Sequence, residues 1–526
     1  MSEIQHSVHS VSSAKEVEVK LQLPSASPSR LRQVPLLRDA DGPAQKQKQV
    51  SVYFDTESLK LRKHGLTLRV RHVGNRYVQT IKSDNGGLFE RGEWETEVES
   101  EQPDLTRGDT SALDGLDIKK LGKQLRPVFE TRVERTTYPF ARKDYEIELT
   151  IDRGEIDAGD HSLPLCEAEF ELKRGDRARL FEFAAAFARA TAAELAVKSK
   201  SQRGYELLSG EESAATRGED IEIAPDTPAK TAFQLIAFDC LKQVISNKPA
   251  VLAGNAEGIH QMRVGLRRLR AGISLFSDIV ADAKTKHIKA ELKWLTNELG
   301  PAREFEVFLT RVVAPLGKQH ARLAGMRSLS HDLADQRETA IARAIEAVSS
   351  LRFRELTLDC AAWLEIGDWR EPQDEALRAR CDEPIEHMAR TQLKKHWKKI
   401  RKRGRELASL DPHARHKLRI RIKKLRYATE FYKAVFPEKK PHKRRAAFLS
   451  ALKDLQDCFG ELNDIFVHEK LTAGIVETPN AASAKSPRRV FAAGLLTGHE
   501  EARLEPVLAD AERSFAAFDK LQPYWD

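Results

Sequence analysis

Formal charge alternates with apolar residues at every second position in six segments between residues 16 and 174. In EVEVKLQ, Glu16, Glu18 and Lys20 share one parity, and Val17, Val19 and Leu21 share the other. Arg69 and Arg71 oppose Leu68 and Val70, and Thr80 and Lys82 share a face. Glu93, Glu95, Glu97 and Glu99 follow; then Glu146, Glu148 and Asp152 oppose Ile147, Leu149 and Ile151. Glu167, Glu169, Glu171 and Lys173 end the series. A period of two marks a strand with unlike faces. For one strand, a solvated charged face is the simpler reading. Six such strands, dense in both signs, point to a sheet closed with its charges inward, because clustered carboxylates repel unless they share a cation. The apolar parity then faces outward, under helices or a second domain. Such a lumen suits a ligand with many negative charges and a hard divalent metal. Carboxylates suit Mg2+ or Mn2+, and arginine and lysine suit phosphate oxygens.

Strand patterns dominate residues 15–207, with turn signals at 83–87 and 153–156 and one amphipathic helix at 177–195. Eight strands in this length imply a barrel or sandwich. Residues 1–14 read as a flexible tail, and 208–228, rich in small, acidic and proline residues, as a linker. Residues 229–526 are helical in pattern, apart from a small-residue break at 472–488 that reads as a loop. HQMRVGLRRLRAGISLF (260–276) aligns without gaps with HKLRIRIKKLRYATEFY (416–432), and LGPAREFEVF (299–308) resembles FGELNDIFVH (459–468). The repeat implies two similar helical bundles, over approximately 229–375 and 376–526. The expected class is therefore α+β multidomain.

The net charge of +8 hides an asymmetry. Residues 1–228 carry 34 basic and 40 acidic side chains; residues 229–526 carry 53 and 39. The basic half invites a polyanion. Five scattered cysteines with no C-x-x-C pair suggest neither a disulfide framework nor zinc. No apolar run is long enough to span a bilayer, and no secretory leader is evident, so a reducing cytoplasm is expected.

EVEVK matches the E-x-E-x-K signature of the CYTH domain, the triphosphate tunnel metalloenzymes. YFDT (53–56), LRVR (68–71), IK (81–82), RGEWETE (91–97), ELTIDRGEI (148–156), EFELKRG (169–175) and KSKSQRGYEL (198–207) follow in that family's order. The resemblance implies an eight-stranded antiparallel tunnel with flanking helices that binds a triphosphate with divalent metal. It implies that Glu16, Glu18, Glu169 and Glu171 hold metal, and that Lys20, Arg69, Arg71, Lys82, Arg132, Arg135, Lys200 and Arg203 grip phosphates. Glu18, Lys20 and Asp152 carry the catalysis in this reading, Asp152 helping to place a second metal or water. No side-chain nucleophile is needed. Trp94 and Tyr53 could line a pocket for a nucleobase or thiamine, yet each is as readily a packed strand residue. The long two-domain arrangement resembles bacterial inorganic triphosphatases, which favours inorganic triphosphate over thiamine triphosphate, nucleoside triphosphates or adenylate cyclisation.

In the repeat, His260, Arg263, Arg267 and Arg270 fall on one helix face, and His416, Arg419, Lys423 and Arg426 repeat it. For one helix this reads as a solvated basic face; duplicated, with histidine at the same place, it fits a linear polyanion. No aromatics for base stacking lie between the cations, which disfavours nucleic acid and favours inorganic polyphosphate. These segments resemble the CHAD domain, an α-helical domain of two similar four-helix bundles associated with polyphosphate. One departure is Arg303-Glu304, where that family often has Arg-Asp. Arg303, Glu304, Asn463 and Asp464 read as buttresses. The resemblance extends the expected location to polyphosphate granules. A non-catalytic polyphosphate-binding or granule-targeting protein is the alternative.

Overall fold

The structure is a computed structural model of the 526-residue chain that describes residues 16–24, 31, 34–83, 90–211, 213–436, 442–477 and 487–525. The tail at 1–14, most of the turn at 83–87 and the side chain of Glu16 lie outside the described residues. The chain divides into two compact units at Ala214/Ala215, with Thr357–Ile366 grouped with the first.

The first unit is built on antiparallel strands β1 (Glu16–Gln22), β2 (Gln45–Asp55), β3 (Leu66–Val73), β4 (Arg76–Ser83), β5 (Glu90–Val98), β6 (Arg126–Ala141), β7 (Glu146–Ala158) and β8 (His161–Arg174). They hydrogen-bond in the order β5-β4-β3-β2-β6-β7-β8-β1, and β5 pairs back to β1 through Glu16↔Arg91, closing the sheet. Among the described residues the sheet has nine strands rather than eight. The ninth, β9 (Glu194–Leu195), is only two residues and pairs with Leu21 and Gln22, beyond the stretch of β1 that β5 occupies.

Register carries the alternating charge around the barrel. Glu18 faces Glu171, Lys20 faces Glu169, Asp152 faces both Glu167 and Arg135, Arg69 faces Tyr53 and Thr80, and Lys82 faces Glu93. Directly paired residues share a face, so one parity is inward throughout. The apolar parity is outward and covered: Val19 and Leu21 are fully buried. Helix α3 (Arg177–Thr191) lays Phe187 edge-on to Phe170 at 5.3 Å and Phe183 edge-on to Phe140 at 5.3 Å. Elsewhere, α1 (Lys60–Lys63) and α2 (Ile118–Gln124) bring Leu61 and Leu121 onto Phe54, Leu68, Val70 and Ile81.

Part of the inner face is apolar as well. Tyr53 stacks on Phe129 at 4.5 Å, with Ile156 and Leu165 beside them. Helix α4 (Lys200–Ser209) packs there, with Gly204 so close to Phe129 that a Cβ would lie 2.3 Å from the ring. A capping box between Ser199 and Gln202 fixes the start of α4 and so the position of Lys200. From the middle of the helix, the Tyr205 hydroxyl donates to buried Asp55 at 2.9 Å.

The second unit contains α5 (Ala229–Ser246), α6 (Ala256–Leu275), α7 (Ala283–Glu298), α8 (Gly300–Phe308), α9 (Ala324–Ser349), α10 (Ile385–Gly404), α11 (Pro412–Phe431), α12 (His442–Glu477) and α13 (Pro487–Asp519). Counting α7–α8 as one element, these form two four-helix sets. The long α12 corresponds to α7 plus α8, which Pro301 separates. The constant offset between His260 and His416 extends back through α5 and α10. Ala229 N–H donates to Glu383 at 2.9 Å, and Ile385 N–H donates reciprocally to Thr227 at 2.8 Å. Phe276 meets its own counterpart Tyr432 at 6.3 Å. The repeats are thus related by a pseudo-two-fold axis through these contacts.

Residues 215–228, read from composition as linker, fold onto this unit. Thr216 and Asn247 exchange two hydrogen bonds, and Glu219 N–H donates to Asp239. The small-residue break is also shorter than its composition implies, since Thr472–Glu477 continue α12.

Candidate functional site

Glu169 lies at the centre of the barrel's charge. Its carboxylate is 3.2 Å from the Lys20 ammonium, 3.0 Å from Lys200 and 3.0 Å from Arg135. Burial works against ionisation, but Lys20, Lys200 and Arg135 hold Glu169 well below the usual carboxylate range. Asp152 takes a bidentate grip from Arg135 at 2.7 and 2.6 Å and contacts Lys200 at 2.8 Å. Burial opposes its ionisation too, and Lys200 and Arg135 outweigh it, lowering Asp152. Glu167 also contacts Lys200, but burial dominates and raises it. Carboxylate oxygens of Asp152, Glu167 and Glu169 lie within 4.8 Å of one another, a set of hard donors with the spacing of a divalent-cation site. Glu18 joins through Lys20, at 2.9 Å.

Across the lumen the balance reverses. Arg69 is 3.5 Å from Glu93, and Lys82 is 2.8 Å from the same carboxylate. Arg71 is half-buried and donates to the Ser51 hydroxyl at 3.4 Å; no carboxylate lies within ion-pair distance of it among the described residues. Burial and the neighbouring Arg69 and Arg135 push Arg71 down to about 10. A half-buried guanidinium crowded by two others creates a demand for an anion.

Of three further expected residues, Glu171 and Arg132 stand apart and Arg203 sits at the edge of the cluster. Glu171 is paired with Lys173 at 2.5 Å, away from the Asp152–Glu167–Glu169 cluster. Arg203 donates to Gln22 and to the Pro164 carbonyl and lies 3.6 Å from Glu167. Arg132 has the opposite parity to Thr131 and Arg135; it sits on the outer wall, bridging Glu130 and Asp157, and is corrected out of the phosphate-gripping set. Neither aromatic candidate lines an open mouth: Trp94 packs against the outer core, and Tyr53 is 2% exposed beneath α4.

In the helical unit, α6 and α11 bring the two basic stripes together on the pseudo-axis. Burial, Arg419, Arg267 and Arg263 push the Lys423 ammonium down to about 7, against a smaller opposing effect of Asp464. Arg263 donates to the Thr296 carbonyl at 3.2 Å and lies 3.9 Å from Glu304; burial and Arg267 lower it to about 10. The Nε atoms of Arg263, Arg267 and Arg419 are buried without a hydrogen-bond partner. The histidines differ. Burial and Arg303 push His260 down to about 4, whereas exposed His416 is 3.1 Å from the Asn463 amide oxygen. Arg270 is half-buried, and Arg426 is turned onto Glu430 at 2.8 Å.

The family model for the CYTH domain matches residues 14–205, and that for the CHAD domain matches residues 235–473. The chain carries a CYTH domain followed by a CHAD domain. A curated relative, the inorganic triphosphatase of Haemophilus influenzae, is 31% identical over 163 residues, 30% of this chain and 45% of that protein. The match thus spans under half of the relative's length. The crystal structure of the CHAD domain from the plant Ricinus communis is similar to this chain at 26% identity and a TM-score of 0.50, covering 59% of this chain and 98% of that one.

In the CYTH domain, Glu93 and Glu167 are site residues that the motif reading did not select. Both have the inward parity, so alternation was a signal for them; what it lacks is their partners, Lys82 and Lys200. In the CHAD domain, Glu304 and Asn463 each support a residue of the stripe. No helix among the described residues is long and apolar enough to cross a membrane.

Proposed function

We propose that the CYTH domain hydrolyses inorganic triphosphate to diphosphate and phosphate with the help of Mg2+ or Mn2+, and that the CHAD domain binds inorganic polyphosphate at the pseudo-axis cluster. The observation that carries the first part is Arg71, half-buried and, among the described residues, without a carboxylate at ion-pair distance, in a barrel whose Glu169 carboxylate is already shared among Lys20, Arg135 and Lys200. Cations on one side and carboxylates on the other suit a polyphosphate anion carrying metal. The residues fit such an ion: Asp152, Glu167 and Glu169 offer clustered oxygens, with Glu18 tied in through Lys20, and Glu16 and Glu171 are the further holders that the family resemblance implies. A bound divalent cation neutralises phosphate oxygens and lowers the pKa of an attacking water. Lys20, Arg69, Arg71, Lys82 and Lys200 orient the phosphates. Asp152 fixes Arg135 and Lys200 in place, and Arg203 braces α4 at the edge of the site. Positioning and charge then supply the catalysis.

The inorganic substrate is favoured because Tyr53 and Trp94 are both packed away, and because the curated relative is named an inorganic triphosphatase. The deciding experiment is phosphate release from tripolyphosphate, ATP, thiamine triphosphate and long-chain polyphosphate, each with Mg2+ and with Mn2+. Tripolyphosphate is expected to show the highest kcat/KM, with no release in excess chelator. Preferred turnover of ATP or thiamine triphosphate overturns the substrate assignment, and no turnover of any compound overturns the enzyme.

The polyphosphate half has its own test. Lys423, faced by Arg263, Arg267, Arg419 and Asp464, loses its charge as pH rises through about 7. Binding of long-chain polyphosphate should therefore weaken by about tenfold between pH 6 and pH 8, the worth of one charge-assisted hydrogen bond. Lys423→Arg should flatten that dependence by keeping the charge. Equal pH profiles for the two proteins, measured by fluorescence anisotropy, would remove Lys423 from the site.

A further inference from the structure

The offset that aligns His260 with His416 also aligns Asp239 with Lys395, Gln243 with Lys399 and Arg268 with Lys424. In the first repeat these positions form a neutral, covered groove between α5 and α6. Arg268 lies 2.9 Å from Asp239 and donates to the Gln243 side-chain oxygen at 2.8 Å. The chain at 216–220 crosses above them. Glu219 N–H donates to Asp239 at 3.1 Å, and a Cβ on Gly218 would fall 1.9 Å from the Arg268 guanidinium. Beneath this segment Gln243, Gln261 and Arg268 are all buried.

The second repeat keeps the helices and reverses the chemistry. Lys395 and Lys399 on α10 and Arg421 on α11 are exposed, with Lys424 half-buried. The Lys424 ammonium donates to the Ser274 hydroxyl at 2.6 Å. Among the described residues, no carboxylate lies within ion-pair distance of these four cations; the acid whose charge reaches Lys424, Asp278, is itself 3.6 Å from Arg380. Burial and the surrounding Lys424, Lys399, Lys395 and Arg421 hold His396 down at about 4. On the same face of α11, between Lys417, Arg421 and Lys424, Ile420 is 52% exposed.

We propose that the groove between α10 and α11 is a docking surface for an extended acidic peptide segment of a partner protein, which lies on it as residues 216–220 lie on the first groove. Two observations favour a peptide over a phosphate chain. The duplicated groove is already occupied by extended polypeptide, whose own carboxylates, Glu219 and Asp220, pair with Lys242 at 2.9 Å and Lys433 at 2.5 Å. Ile420 offers an apolar contact that only a partner with side chains uses. The cations steer the segment in and set its register.

The test uses the full chain and, as probe, a fluorescein-labelled peptide with the sequence TRGEDIEIAP, residues 216–225 of this protein. Saturable binding is expected at physiological salt. Lys395→Glu/Lys399→Glu should weaken it by about tenfold or more, and Ile420→Ser should weaken it with no change in net charge. Arg263→Ala/Arg267→Ala, on the pseudo-axis, should leave it unchanged. A urea midpoint of the CHAD transition equal to that of the parent shows that the groove variants are folded. Absence of saturable binding by the parent, or equal binding by the charge-reversed variant, overturns the proposal. So does a loss of long-chain polyphosphate affinity in that variant as large as the loss for the peptide, which would assign the groove to phosphate.

Discussion

Glu169→Gln is expected to lower tripolyphosphate turnover by about 100-fold or more while leaving the barrel folded. The amide has the shape of the carboxylate, so the change is one of charge. Glu169 holds Lys20, Lys200 and Arg135 through one carboxylate, each within 3.2 Å. Loss of that charge weakens an oxygen donor for the cation and frees three cationic groups that the proposed chemistry needs in fixed places. Removing one preorganised electrostatic group from an active site costs about 10²–10³ in rate. Stability supplies an independent reading. The Glu169 pKa is depressed in the folded state, so its contribution is present above the unfolded pKa and is lost as pH falls through the folded value. The Gln variant should therefore lose thermal stability at neutral pH and converge with the parent in acid. Turnover within about threefold of the parent, with metal dependence unchanged, would remove the Glu169 cluster from the reaction.

Much of the barrel was legible because inward-facing charge is a period-two signal, and Glu18, Lys20, Arg69, Arg71, Lys82, Asp152 and Glu169 all obey it. Arg132 shows the same signal neglected: it is three residues from Arg135, so the two cannot share a face of one strand. Lys200 was reachable only through a motif, because it enters the lumen from the first turn of α4 and no strand pattern reports a helix end. Residues 215–228 went the other way. Their composition is that of a linker, yet Asn247 and Asp239, twenty or more residues downstream, bind the backbone of Thr216 and Glu219. Composition is local, and that order is tertiary. The repeat was visible in α6 and α11, where the cations are kept, but not in α5 and α10, where Asp239 has become Lys395 and only the buried pattern and the reciprocal hydrogen bonds persist.

That divergence gives the second large effect. Arg268→Ala is expected to destabilise the CHAD domain by about 3–5 kcal/mol, the cost of stranding one member of a buried ion pair. Arg268 and Asp239 are both nearly excluded from solvent, and the Gln243 amide, the Phe431 ring at 5.8 Å and the chain at Gly218 complete the surroundings of the guanidinium. Burial already raises the Asp239 pKa, with Arg268 opposing it. Without Arg268 the carboxyl is driven further up and takes a proton to remain buried. A raised folded pKa gives stability that is present below the unfolded pKa and is lost as pH rises through the folded one. The deficit should therefore shrink in mild acid and be fully developed at neutral pH. Amide exchange should report the same event locally, with protection lost at Thr216 and Glu219, whose N–H groups rest on Asn247 and Asp239. Asp239→Asn/Arg268→Met separates charge from packing, because it removes both charges while keeping the volume. It should recover at least half of the urea-midpoint loss of the CHAD transition. A double variant no more stable than Arg268→Ala would mean that the stranded Asp239 charge is not the source of the loss and that the guanidinium acts through its hydrogen bond to Gln243 and its contact with the Phe431 ring.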